Sequence, residues 1–234
     1  CIKSIHMSNF FRFTFLLSCF PVYIFTLASC SKNADGQSAG QPGGAAACTA
    51  TKAAAENIQV FPAGNPWNED ISTAPVDPFN TQIIAAISSP GIKADFGSGL
   101  WQGAPIGIPY IVVCGNQPKL VINYTDYGDE SDPGPYPIPL IAPVEGNGNG
   151  DSHVIAVDIE NKILYELFYA RVNGNHWDAS SGAVFDLQSN QLRPETWTSA
   201  DAAGLPIFPG LVRYDEIVKG EIDHPIRFTL TSNN

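Results

Sequence analysis

His153 and Glu166 are the residues whose type and spacing in this chain best suit proton transfer. They lie in two runs, Ser152 to Asp158 and Ile163 to Tyr169, separated by Ile159-Glu160-Asn161-Lys162. Val, Ile, Leu and Phe fill both runs, which therefore read as strands, and the polar stretch reads as the turn of a hairpin. Centring that turn on Glu160-Asn161 pairs Val157 with Leu164, Ile155 with Glu166 and His153 with Phe168. Side chains alternate faces along a strand, so this register puts His153 and Glu166 on one face as diagonal neighbours. A carboxylate beside an imidazole orients the ring and raises its pKa, as general acid–base work requires. A structural hydrogen bond, or two unrelated polar groups on a wet sheet face, is the competing reading. Asp158 projects to the opposite face as a turn-end residue. His224, in Ile222-Asp223-His224-Pro225, and His176, next to Trp177, are further candidates, and each alone also suits a structural role.

A second cluster is acidic. Asp126, Asp129, Glu130 and Asp132 put four carboxylates into seven positions around Gly128. Oxygen ligands gathered in this way suit a hard cation such as calcium, with Asp126, Asp129 and Asp132 as the expected ligands. Asn147, Asn149 and Asp151 in the following glycine-rich loop could add oxygens. The spacing does not match an EF-hand loop, and a solvated acidic loop is the alternative.

The third feature is aromatic. Trp67, Trp101, Trp177 and Trp197 all occur in Gly/Pro/Asn-rich surroundings that read as loops. Loop tryptophans stack on sugar rings, and Asp178 and Asn175 beside Trp177 could bond sugar hydroxyls. Trp101, Trp177 and Trp197 are the expected sugar platform, with plugging of the core edge as the alternative. No nucleophile elbow, zinc-binding H-E-x-x-H helix or phosphate-binding loop occurs. Ser199 suits a capping role better than that of a nucleophile, and no Cys/His spacing suggests zinc.

Short strand-like runs must position these groups. Besides the hairpin they are Ile108 to Val113, Lys119 to Tyr124, Gly182 to Leu187 and Ile226 to Thr231. Two helices are expected. The first has Asp77 as N-cap, Pro78 at the first position and Phe79, Ile83 and Ile87 at four-residue spacing. The second opens near Pro209 and Gly210, carries Leu211, Tyr214 and Val218 on one face and ends at Gly220. Thr198 to Asp201 could open one more short turn. Strands outnumber helices without strand–helix alternation, which predicts a mainly β fold: an antiparallel sandwich or barrel-like sheet domain with two or three short helices.

The N-terminal segment carries a different signal. After the only methionine, Met7, come Arg12, an apolar stretch from Phe13 to Leu27, and Leu27-Ala28-Ser29-Cys30. Charged lead, apolar middle and small residues before a cut form a secretory signal over residues 1–29. The apolar stretch is short for a span of about 20 residues. Leu27-Ala28-Ser29-Cys30 resembles the lipobox of bacterial lipoproteins, which implies acylation of the Cys30 thiol, cleavage before it and a membrane anchor without a transmembrane helix. Residues 30–56 are rich in Gly, Ala and Ser and lack large apolar groups, so they read as a flexible tether. Residues 57–234 are then a single β-rich domain. An exported compartment permits a disulfide, and Cys48 with Cys114 is one pairing to consider.

Composition narrows the partners. The chain has 12 basic and 23 acidic residues; Lys3 and Arg12 fall in the leader, so the mature form carries a net charge of about −13. That balance argues against nucleic acid and anionic lipid surfaces as partners, and is compatible with cations or glycans. The 19 prolines and 21 glycines favour turns over long helices.

Gly134-Pro135-Tyr136-Pro137-Ile138-Pro139, the 150–167 hairpin, Ser181 to Leu187, Trp197 to Ile217 and Ile222 to Thr229 resemble a family of exported bacterial proteins. The resemblance covers roughly the last 100 residues and is specific in Trp197 to Glu216. It implies export, one domain and a chain that continues past Asn234, and it supplies no reaction. Two readings follow. In one, the protein is membrane-tethered and glycan-directed, a hydrolase or other carbohydrate-active enzyme, with His153, Glu166 and His224 as catalytic groups. In the other, it is a non-catalytic binding or envelope lipoprotein, stabilised by calcium. A cleft holding His153 and Glu166 favours the first; burial of both in core hydrogen bonds favours the second.

Overall fold

The computed structural model describes residue 50, residues 55–86, 96–97 and 99–228, and all of these fall in one compact unit. Residues 1–29 (read above as a secretory signal), Cys30, Cys48, Ile87 and residues 229–234 lie outside the described residues.

Among the described residues, nine short strands build three sheets. β1 (Leu100–Trp101) and β2 (Ala104–Pro105) form a small hairpin. β3 (Tyr110–Val113) enters a four-stranded sheet with β5 (Val154–Asp158), β6 (Ile163–Phe168) and β9 (Ser181–Asp186), in the order β3-β5-β6-β9. β4 (Ile122–Tyr124), β7 (Arg171–Asn173) and β8 (His176–Ala179) make a three-stranded sheet in the order β4-β8-β7. Pairing is antiparallel except for β3 with β5 and β4 with β8, which run parallel. Over the described residues the fold is therefore mainly β, sandwich-like and without a closed barrel, and two short α-helices lie wholly within them.

The central hairpin has the register expected from its turn: Val157 faces Leu164 and Ile155 faces Glu166. Asp158 stabilises the turn by accepting from the amides of Glu160 and Asn161 at 3.1 and 3.0 Å and from the Asn161 side chain at 2.8 Å. β5 is buried at all five positions because the four-stranded sheet is covered on both faces. On one face Val112, Ile155, Val157, Leu164 and Phe185 pack against Phe61, Ile207 and Phe208 from irregular segments. On the other face Val154, Ala156, Tyr165 and Leu167 pack against Ile122, Tyr136, Ile138, Trp177 and Ala179. The three-stranded sheet is thus stacked on the second face. Gly182 keeps that stack close, since a Cβ there would meet the Tyr124 hydroxyl at 2.4 Å.

The helices depart from expectation. α1 (Asn80–Ala86) begins after Asp77, whose carboxylate accepts from the Phe79 amide at 2.7 Å, but Phe79, Ile83 and Ile84 are exposed. α2 is only Tyr214–Lys219 and closes at Gly220 in the left-handed region; Pro209 and Gly210 belong to a separate 3-10 turn, Phe208–Gly210. Tyr214 and Val218 are exposed, and the buried residue of α2 is Glu216. Thr198 to Asp201 lead into a short turn at 202–203, as expected, and no strand is found at 226–228. From Leu187 to Phe228 the chain has no strand, so side chains rather than a backbone ladder must hold it in place.

Candidate functional site

His153 and Glu166 share one face of the sheet, as the register requires, yet no hydrogen bond joins them. Glu166 is fully buried. Its carboxyl accepts from the Ile207 amide at 2.9 and 3.0 Å and from the Phe208 amide at 2.8 Å. Burial pushes its pKa up to about 7, against the pull of those two amides and of the His153 and Arg227 charges. His153 is buried too, with Nδ1 2.5 Å from Glu145 and Nε2 3.0 Å from the Ala200 carbonyl. Burial works against its charged form, but Glu145 and the Ala200 carbonyl outweigh it and hold the pKa above the ordinary histidine value. Both groups are thus buried and tied into the core by hydrogen bonds. Their partners are Glu145 and three backbone groups that strand spacing could not reveal.

His224 is engaged elsewhere. Its Nδ1 lies 2.6 Å from the Pro225 carbonyl, and its Nε2 is 2.7 Å from Glu216 in a contact that departs from good hydrogen-bond direction. Burial opposes its charge, and Glu216 and the Pro225 carbonyl raise its pKa regardless. Glu216 also accepts from the Arg213 amide at 2.7 Å, so this cluster fastens the start of α2. No hydrogen bond connects it to His153 or Glu166.

The acidic loop is a bracket, and its carboxylates point at protein donors. Asp126 accepts from Ser180 and Thr125, both at 2.8 Å, and these bonds hold its pKa below the usual carboxylate range. Asp132 pairs with Arg193 and accepts from the Val184 amide at 2.8 Å. Glu130 accepts from the Thr198 amide at 2.9 Å. Asp129 is exposed in the 3-10 turn Gly128–Glu130. Among the described residues no group of three or more His, Cys, Asp or Glu side chains is disposed to hold a metal ion. The expected calcium site at Asp126, Asp129 and Asp132 is therefore corrected: the three carboxylates do not gather into a metal-holding group, and Oδ2 of Asp126 and Oδ2 of Asp132 each already accept from two protein donors.

The tryptophans separate. Trp177 is on β8, where alternation turns it inward; it is fully buried and donates from Nε1 to the Ile138 carbonyl at 3.1 Å. It is a core residue and not part of a sugar platform. Trp197 is half-buried, with the Arg193 guanidinium 5.7 Å from its ring centre. Trp101 is exposed at 59% on β1.

The alternation that buries Trp177 turns His176 and Asp178 outward. Asn123, Asp178 and Arg171 form one row across β4, β8 and β7, and Asn173 pairs with His176 in the next. Asp178 gathers three donors: Asn123 at 2.9 Å, Asn173 at 2.8 Å and His176 at 3.2 Å. The two amides chiefly hold its pKa low, so the carboxylate stays ionised. Arg171 lies 4.3 Å above the ring of Tyr169, which is 42% exposed. A preset carboxylate, two amides, an imidazole and an aromatic ring on one exposed face can exchange hydrogen bonds with hydroxyl-rich ligands. Asp178 was visible in the sequence as a hydroxyl partner. Asn173 and Arg171 were not, because β7 and β8 flank Gly174-Asn175 and read as loop, and Asn123, though in an expected strand, was missed because its pairing with β8 leaves no mark in the sequence.

Cys114 is disulfide-bonded, and the other four cysteines lie outside the described residues. No helix among the described residues is long and apolar enough to cross a membrane. No family model, curated protein or solved structure matches this chain.

Proposed function

We propose that this chain is an exported lipoprotein, anchored through a lipid on Cys30, whose domain binds glycan without cleaving it on the outer face of β4, β8 and β7. The observation that carries the reading is Asp178, fixed by Asn123, Asn173 and His176 beside the Arg171–Tyr169 stack. The burial of His153 and Glu166 in core hydrogen bonds favours binding over hydrolysis, since an acid catalyst must reach the glycosidic oxygen. Export is supported by the leader and lipobox, by the resemblance of Trp197 to Glu216 to exported proteins, and by the disulfide at Cys114, which belongs to an oxidising compartment. The net negative charge disfavours anionic ligands, so neutral or amino sugars fit best.

The test is an array of neutral, amino and acidic glycans probed with the full chain, with release of reducing ends measured in parallel. The expected result is binding without turnover, weakened about tenfold by Asp178→Ala and by Arg171→Ala. Turnover that disappears in folded His153→Ala or Glu166→Ala variants would overturn the reading, as would binding indifferent to Asp178→Ala. Labelled palmitate should be incorporated in cells and lost on Cys30→Ser; an unlabelled wild-type protein contradicts the anchor.

A further inference from the structure

The irregular segment around Ala200 is held to the sheet by an arrangement whose proton count can be read from its acceptors. His153 meets two of them, the Glu145 carboxylate at Nδ1 and the Ala200 carbonyl at Nε2. A carbonyl has no proton to give, so serving both contacts takes two ring protons, which is the imidazolium. The site favours that form: Glu145 is 2.5 Å away, and the amide of His153 also donates to it at 3.2 Å. Other charged groups act on the cluster. Asp151 adds negative charge from the preceding loop, Glu166 lies on the same sheet face, and Arg227, paired with Asp201, bears on Glu145 and Glu166. The Phe168 ring, 5.5 Å away, closes the apolar side.

Residues 198–205 form a small body bonded to itself. The Ser199 hydroxyl lies 2.7 Å from the carbonyls of both Asp201 and Leu205, which share its single proton, and accepts from the Asp201 amide. The Gly204 amide donates to the Asp201 carbonyl at 3.0 Å, in a turn where φ of Gly204 is +71° and a Cβ would meet the Trp197 carbonyl. Directly beyond it, Ile207 and Phe208 are held separately by Glu166. The two attachments answer a proton in opposite ways. Losing a proton leaves His153 one N–H for two acceptors, and the charged, shorter Glu145 contact keeps it. The buried Ala200 carbonyl then has no donor. Ionised Glu166, by contrast, accepts more strongly from Ile207 and Phe208.

We propose that residues 198–205 form a proton-dependent clasp: the His153 imidazolium binds the Ala200 carbonyl to the sheet, and loss of its proton loosens this segment while Glu166 keeps residues 207–208 in place. Ser181, which donates to the Ser199 carbonyl at 2.8 Å, and Arg193, which donates to the Thr198 carbonyl at 2.9 Å, limit the movement to local opening.

Hydrogen–deuterium exchange of peptides from the 198–208 region, measured on the full chain from about pH 5.5 to 9 and corrected for intrinsic rates, tests this. In the wild type, exchange across 198–205 should rise about tenfold or more with increasing pH while 207–208 stays protected. In Glu145→Gln, which keeps an acceptor and removes the charge, the midpoint of the rise should fall. A flat wild-type profile, or an unchanged midpoint in Glu145→Gln, overturns the clasp. NMR of the His153 ring in the wild type is independent of any variant. Two ring protons below the midpoint and one above it support the clasp, and a neutral ring throughout refutes it.

Discussion

Replacing Glu166 with glutamine should change how stability depends on pH. In the folded chain the Glu166 carboxyl is fully buried and its pKa is raised from an ordinary 4.5 to about 7. The sign follows from linkage. A group whose folded pKa is raised favours the folded state below its unfolded pKa, and that contribution is lost as pH rises through the folded value. With 4.5 and about 7, the shift costs the folded state about 1 kcal/mol at pH 5, where the buried carboxyl stays protonated, and about 3 kcal/mol at pH 8. Glutamine cannot ionise, and its amide oxygen can still accept from the Ile207 and Phe208 amides. The stability difference between the variant and the wild type should therefore move about 2 kcal/mol in the variant's favour between pH 5 and pH 8. Any constant cost of the substitution cancels from that comparison. Urea unfolding of both proteins at the two pH values, followed by fluorescence of the buried Trp177, measures it. A difference unchanged between pH 5 and pH 8 would refute the burial argument, and a change of opposite sign would mean that the two backbone amides outweigh desolvation.

Other consequences are simpler to check. Arg193→Met breaks the pair with Asp132 and the donations to the Glu130 and Thr198 carbonyls, and should cost about 3 kcal/mol in chemical denaturation. Trp177→Ala empties a fully buried site and orphans the Ile138 carbonyl, so a loss of about 3–5 kcal/mol is expected, whereas exposed Trp101→Ala should stay within about 0.5 kcal/mol. Millimolar calcium should leave the melting temperature unchanged, because Asp126 and Asp132 already serve protein donors; a clear upward shift would restore the metal site. Non-reducing peptide mapping should find Cys114 cross-linked, and a peptide joining it to Cys48 is the result expected if the proposed export and lipidation hold.

The hairpin around Glu160-Asn161 was readable because its turn is short, polar and flanked by β-branched and aromatic runs, and its register followed directly. The two-sided burial of β5 was harder to see, because both covering layers come from distant parts of the chain. Trp177 was misplaced for a related reason. β7 and β8 are short and enclose Gly174-Asn175, so their alternation was hidden among turn residues. The partners of Glu166 left no mark at all, since Ile207 and Phe208 contribute backbone amides that every residue but proline possesses. The acidic loop was correctly marked as a place where carboxylates gather; the donors that claim them, Arg193, Ser180 and the Val184 and Thr198 amides, come from elements paired only in three dimensions. The face of α2 was misassigned because the buried position is filled by a glutamate that cations make burial-tolerant, while Tyr214 and Val218 face solvent.

The most direct test of the account is backbone NMR of the labelled protein titrated with the glycan it binds best. Shifts concentrated on Asn123, Arg171, Asn173, His176 and Asp178 are the predicted outcome. Shifts centred on His153, Glu166 and the 199–208 segment would move the site into the core and contradict the proposal.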